Sequence, residues 1–185
     1  MNGHHSTSEY RTRLTGLLAP PLATPGIITK MKIAVLSDTH LSSIKGLPEK
    51  IIDSISRVDL IIHAGDFTTI EVLNELKQLG KIRAVHGNMD STELKATLPT
   101  KEIIGIGNKR IGIIHGGGAP WGIEKRLRNA FAQDRVDVII YGHSHESQNK
   151  VTDGILFFNP GKASNSFGII TIEEDIEGEI ISSKK

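Results

Sequence analysis

The chain has 185 residues and no cysteine, so it is long enough for one domain with its own core and offers no disulfide framework, thiol nucleophile or thiolate metal site. Its formal charge is +1, and setting aside residues 1–30, which carry Arg11, Arg13 and Lys30 against Glu9, brings the balance to −1. Such neutrality excludes the polyelectrolyte surface of a general nucleic-acid binder, and no run approaches the roughly 20 apolar residues of a membrane span.

Residues 1–30 read as a leader outside the fold. After His4-His5 and Ser6-Thr7-Ser8, the apolar run Leu17-Leu18-Ala19 is cut off by Pro20-Pro21, too short for a secretory signal. Met31-Lys32 followed by a hydrophobic strand has the character of a natural start. The expected organisation is a leader over 1–30, appended or disordered, and one domain over 31–185. The lack of cysteine fits a cytoplasmic setting.

From Lys32 onward, short β-branched runs alternate with helical periods. Ile33 to Leu36 predicts a buried strand. Pro48 opens a helix through Arg57 with Ile51, Ile52 and Ile55 on one face. Leu60 to Ile62 is a second strand, and Ile70 to Leu79 a helix stopped by Gly80. Ile82 to Val85 is a third strand. This βαβαβ order predicts parallel strands covered by helices. Glu102 to Ile106 and Arg110 to Ile114 flank the hairpin turn Gly107-Asn108. Ile123 to Ala132 is helical and Val136 to Tyr141 a strongly apolar strand. Four short strands follow, at Lys150 to Val151, Ile155 to Phe158, Gly168 to Ile172 and Ile176 to Ile181, punctuated by Asp153-Gly154 and Glu177-Gly178. The expected fold class is α/β, two packed mixed sheets flanked by helices.

The polar residues collect where buried strands end. The first strand runs into Asp38-Thr39-His40, the second into Gly65-Asp66 and the third into Gly87-Asn88. Ile111 to Ile114 runs into His115-Gly116, and Val138 to Tyr141 into Gly142-His143-Ser144-His145. Ligands of open α/β sheets bind beyond the carboxyl ends of strands, so five such ends carrying Asp, Asn and His suggest one convergent site. Taken singly, each segment has a bland reading. Gly65-Asp66 and Gly87-Asn88 are ordinary turn residues, and Gly142-His143-Ser144-His145 could be a solvated loop. A mixed carboxylate, amide and imidazole set suits borderline divalent metals such as Mn, Fe, Ni or Zn better than Mg.

In order, Asp-x-His, Gly-Asp, Gly-Asn, His-Gly and Gly-His-x-His resemble the calcineurin-like metallophosphoesterase superfamily over roughly residues 31–165. The compact size and Asn159-Pro160-Gly161 look most like its small YfcE-like phosphodiesterase branch. The resemblance implies a four-layer sandwich and two divalent metal ions. Asp38, His40, Asp66 and His145 would hold the first, and Asp66, Asn88, His115 and His143 the second, with Asp66 as the bridge. Asp66, Asn88 and His115 are the residues it would place closest to catalysis. A hydroxide activated between the cations would attack phosphorus in line. The implied partner is a small phosphoester, with no membrane and no specific nucleic acid; a homo-oligomer is left open.

Many superfamily members read Gly-Asn-His-Asp/Glu, whereas this chain reads Gly87-Asn88-Met89-Asp90. A thioether donates no proton, which favours diesters over monoesters. His86 is a candidate replacement donor, although its plainer reading is a strand-end histidine. His63, inside a buried strand, reads as a hydrogen-bonded core residue. Gly116 to Gly118 reads as a turn, or as small residues admitting substrate. Lys162 stands where the branch usually has Ser. The alternatives are a phosphomonoesterase or nucleotide phosphatase, and a Vps29-like protein-interaction scaffold.

Overall fold

Alternation along the strands decides which face each buries. In the computed structural model, which describes residues 30–119 and 121–184, the first strand, β1 (Met31–Leu36), sends Ile33 and Val35 to one side and Ala34 and Leu36 to the other. Apart from Lys30, the expected leader lies outside the described residues. The chain continues through α1 (Glu49–Ile55), β2 (Leu60–His63), α2 (Ile70–Leu79), β3 (Ile82–Ala84) and α3 (Thr92–Thr97). Then come β4 (Lys101–Ile106), β5 (Lys109–Ile114), α4 (Ile123–Ala130), β6 (Val138–Ile140), β7 (Gln148–Thr152), β8 (Ile155–Asn159), β9 (Ser166–Ile172) and β10 (Ile176–Ser182).

These strands form two mixed five-stranded sheets, ordered β10-β9-β1-β2-β3 and β4-β5-β6-β8-β7. The predicted βαβαβ unit is present, with β1, β2 and β3 parallel. In the other sheet β5, β6 and β8 are parallel, and the hairpin partners β4 and β7 run against them. Ile33, Val35 and Ile62 of the first sheet meet Ile111, Val138, Ile140 and Phe158 of the second in one buried cluster. On the outer face of the first sheet, Ala34, Leu36 and Ile61 pack under Ile51, Ile55, Val72, Leu76 and Leu94 from α1, α2 and α3. On the outer face of the second, Ile139 and Phe157 lie under Ile123, Leu127 and Phe131 of α4 and its end. The result is helices, sheet, sheet, helix. A fully buried Ile or Phe stabilises by about 1.5–3 kcal/mol, so the double alternation holds both sheet faces at once.

Several element bounds differ from the pattern reading. Glu49 rather than Pro48 opens α1, because Pro48 is extended (ψ 135°) and serves as the residue before the helix. The six-residue α3 was not expected. It buries only Leu94, so it shows no apolar period, and its signal is local: Ser91 Oγ accepts the Leu94 N–H at 3.2 Å. Among the described residues no helix is long and apolar enough to cross a membrane.

Candidate metal centre

Parallel strands end on the same side, and here the loops after β1, β2, β3, β5 and β6 are tied to one another by main-chain bonds. Asp38 N–H donates to Gly65 O (3.0 Å), His40 N–H to Asp66 O (3.1 Å) and Gly142 N–H to His115 O (3.0 Å). The two sheets are joined at the site itself, where the His143 N–H donates to Asp38 Oδ2 at 3.1 Å. Of eight non-glycine residues with positive φ among the described residues, five are expected ligands: Asp38, His40, Asp66, His143 and His145. Left-handed backbone costs roughly 1 kcal/mol or more per such residue. Its concentration here turns successive side chains of Asp-x-His and His-x-His toward a common centre.

The side chains form two groups that share a carboxylate. In the first, Asp38 Oδ1 lies 3.3 Å from His145 Nε2 and 3.9 Å from His40 Nε2. In the second, Asn88 Oδ1 lies 3.2 Å from His115 Nε2 and 3.0 Å from His143 Nδ1. Asp66 Oδ2 faces both, 3.9 Å from His40 Nε2 and 3.3 Å from His115 Nε2. Two sets, Asp38-His40-His145 and Asp38-Asp66-His115, each bring ligand atoms within 4.8 Å of one another. All seven expected ligands thus lie around one centre.

The donor chemistry suits a cation. Asp38 Oδ1 and His40 Nε2 are buried and have no hydrogen-bond partner, a costly condition unless something between them is bonded to both. The remaining oxygens are braced: Asp38 Oδ2 accepts Ser37 Oγ–H (2.7 Å), and Asp66 Oδ1 accepts Met89 N–H (2.8 Å). His115 Nδ1 donates to Ala64 O at 2.7 Å and His143 Nε2 to Gly118 O at 2.9 Å. Those carbonyls fix the tautomers, leaving His115 Nε2 and His143 Nδ1 with lone pairs facing inward. Burial alone would raise the Asp66 carboxyl, yet the adjacent His115 ring and the Met89 N–H hold it below the usual carboxylate range. Burial likewise pushes His115 down, but Asp66 and Asp38 outweigh it and raise the ring above an ordinary histidine. A cation entering this pair would displace a proton.

Two buried residues that the sequence reading did not rank as functional hold the ligand loops. Asp90 accepts three main-chain N–H groups, from Gly87 (2.7 Å), Asp66 (3.1 Å) and Thr68 (2.8 Å), and so locks the Gly-Asp loop to the Gly-Asn loop. Its sequence signal is its place as the acidic last residue of the Gly87-Asn88-Met89-Asp90 segment. The other is Asn159, whose amide donates to Gly142 O (3.1 Å) and Ser144 Oγ (3.0 Å), bracing the histidine loop from below. Lys162 reaches this loop through its backbone, donating its N–H to His145 O at 3.3 Å. His86 binds Thr100 Oγ1 (3.1 Å) and Gly87 O (3.3 Å), so both of its ring nitrogens are engaged. It lines a recess of about 200 Å³ together with Asn88, Lys95 and His115. A wider recess, about 700 Å³, lies against α4 and contains none of the expected ligands.

His63 sits fully buried beneath Asp66. Gly65 N–H donates to its Nδ1 (3.1 Å), so Nε2 carries the proton and faces Thr39 Oγ1 (3.3 Å), which in turn donates to Asp66 O (3.4 Å). Burial first, and then the charge of His115, lowers its pKa to about 3. A protonated ring would also set Nδ1–H against the Gly65 N–H. The unfolded chain, with a pKa near 6.5, therefore binds the extra proton between about pH 6.5 and 3. Stability from neutral His63 is complete above that window and is lost as pH falls through it, on the order of 5 kcal/mol over the whole range. Melting of the metal-free protein between pH 7 and 4.5 should fall more steeply for wild type than for His63→Gln; parallel slopes would show that His63 does not carry this acid sensitivity.

Residues 31–174 match the family model of the calcineurin-like phosphoesterase superfamily domain. The chain belongs to that superfamily. It is 40% identical over 159 residues to a probable metallophosphoesterase of Methanocaldococcus jannaschii, covering 82% of this chain and 81% of that one. To a phosphodiesterase of the same organism it is 30% identical over 171 residues, covering 82% and 99%. A solved structure of a Vps29 point mutant from Entamoeba histolytica superposes with a TM-score of 0.68 at 26% identity, covering 82% of this chain and 99% of that one. Within the superfamily signature, the position after Asn88 here carries Met89. Its side chain is 61% exposed while its N–H is bound to Asp66.

Proposed function

We propose that this chain is a binuclear metal-dependent phosphodiesterase. The observation that carries the reading is the shared carboxylate: one oxygen of Asp66 faces a histidine from each ligand group, 3.9 Å from His40 Nε2 and 3.3 Å from His115 Nε2. Asp38, His40, Asp66 and His145 would hold one divalent ion, and Asp66, Asn88, His115 and His143 the other. The nitrogen-rich shell suits Mn, Ni, Fe or Zn. When bound, such a pair would supply Lewis-acid charge on the phosphoryl oxygens and a nucleophile at neutral pH. The protein's own part is rigidity. Asp90 and Asn159 keep the loops in place, and the Ala64 and Gly118 carbonyls keep two imidazole lone pairs aimed at the centre.

Met89 bears on substrate class. A monoester carries more charge than a diester, and its transition state gains more from an added donor on the phosphoryl oxygens. The thioether supplies none, and His86 is engaged elsewhere. The M. jannaschii relative named a phosphodiesterase points the same way. A Vps29-like scaffold is the second reading, favoured by the structural neighbour, but every expected ligand position here holds a competent residue.

The test is kcat/KM for paired nitrophenyl mono- and diesters on stripped and metal-restored protein. Chelation should abolish hydrolysis, and Mn or Ni should restore it better than Ca. The diester should be preferred, and Met89→His should raise monoester turnover, by less than the roughly 10²–10⁴-fold of an evolved acid or base. Full turnover without metal refutes the metal assignment. Wild-type preference for the monoester hands the lead to a phosphomonoesterase or nucleotide phosphatase.

A further inference from the structure

Among the described residues four large hydrophobic side chains stand exposed: Leu79, Met89, Trp121 and Val151. Two of these belong to segments bonded directly to candidate ligands. Met89 donates its N–H to Asp66 Oδ1 (2.8 Å). Trp121 follows Gly118, whose carbonyl accepts His143 Nε2 at 2.9 Å, and a three-residue step spans at most about 10 Å of chain. Trp121 is 81% exposed, the most solvent-facing of the four.

Exposure of an indole is usually relieved by burial, and a loose turn could fold it inward. This turn is held. Arg126 of α4 donates from Nε to Gly117 O (3.0 Å), from Nη1 to Trp121 O (3.0 Å) and from Nη2 to Ala119 O. One guanidinium thus clamps three carbonyls of the segment that begins at the metal ligands and ends at the indole. Gly116, Gly118 and Gly122 take left-handed backbone along it (φ 96°, 77° and 73°). Three of the five Arg126 N–H groups are thereby held by backbone, and the large apolar side chain that the turn exposes is the indole.

We propose that Trp121 is a stacking platform for a flat heteroaromatic ester group, a nucleobase in the first instance, on the phosphodiester held at the candidate metal centre. Met89 adds a polarisable apolar contact on the Asn88 side. This rests on the phosphodiesterase reading and narrows its substrate class to diesters with a nucleobase-bearing ester group. Stacking of a base on an aromatic side chain is tolerant of base identity and is worth roughly 5–100-fold in binding. The platform therefore selects for a base without selecting among bases.

Trp121 is the only tryptophan in the chain, so its fluorescence reports the site directly. The zinc-loaded full-length protein is titrated with AMP and, separately, with ribose 5-phosphate, which offers the same phosphate without the base. AMP should quench saturably and ribose 5-phosphate should not. In parallel, kcat/KM is measured for the 4-nitrophenyl ester of thymidine 5′-phosphate and for methyl 4-nitrophenyl phosphate, which share a leaving group. Their ratio should fall about tenfold in Trp121→Ala and stay near wild type in Trp121→Phe. Hydrolysis of both esters with an unchanged ratio, or equal effects of the two phosphates on fluorescence, overturns the platform and leaves the phosphodiesterase reading standing. AMP-specific quenching without hydrolysis of either ester supports a base platform and overturns the phosphodiesterase reading instead.

Discussion

Asp66→Asn is expected to lower kcat/KM for an activated diester by about a hundredfold or more and to abolish stable binding of a metal pair. Losing a group that merely braces a metal ligand typically costs 10–100-fold, and Asp66 is proposed as a ligand to both ions. The substitution removes a negative charge facing His40 and His115. It also does something less obvious. With Oδ1 still accepting the Met89 N–H, the new amide nitrogen would take the place of Oδ2, 3.3 Å from His115 Nε2. It can donate there and occupy the lone pair that Ala64 O had kept free. One change would then disable two ligands. Metal per chain and melting with and without added metal separate this from unfolding, since a ligand that binds only the folded state raises stability by mass action. The variant should melt near metal-free wild type and gain nothing from metal. Two tightly held ions and a near-native rate would mean that the bridge lies elsewhere.

How far the sequence alone reaches depends on whether the signal is local. Ile70–Leu79 was legible to the residue, because its apolar face has helical spacing and Gly80 stops it. The layers were legible because β1 and β6 alternate between two buried faces. The candidate ligands could be picked out because Asp, Asn and His follow buried strands and little else there competes. α3 was not legible, since six residues with one buried leucine have no period. Nor was the bracing, because it is made across distance in the chain. Asp90 accepts N–H groups from residues 22 and 24 positions earlier, and Ala64 O, which sets the tautomer of His115, is 51 positions from it. Such partners become visible only when the two sheets have closed on each other.

Gly87→Ala should be among the most damaging single methyl additions in the chain's ligand loops. Gly87 faces the Gly65-Asp66 turn so closely that an added Cβ would overlap the Asp66 carboxylate and come within 2.5 Å of the Asp66 backbone nitrogen. A flexible side chain could swing aside, but a main-chain nitrogen cannot, because it is itself bonded to Asp90 Oδ2 at 3.1 Å. The same Asp90 oxygen takes the Gly87 N–H at 2.7 Å. Relief must therefore separate the two loops and break one or both of these bonds. Overpacking typically costs 1–3 kcal/mol, and backbone on both sides puts this site at the upper end. For a domain of this length that is a fall in Tm on the order of 10 °C, with loss of metal binding as Asp66 moves off the Met89 N–H. Gly105→Ala is the control. Gly105 lies in β4 with nothing within 4 Å of its added Cβ, and replacing glycine where the backbone allows it changes stability by about 1 kcal/mol or less. The measurement is thermal melting and metal titration of both variants beside wild type. Equal behaviour of the two alanine variants would show that the Gly-Asp and Gly-Asn loops are not packed backbone to backbone, and the rigidity ascribed to Asp90 would fall with that contact.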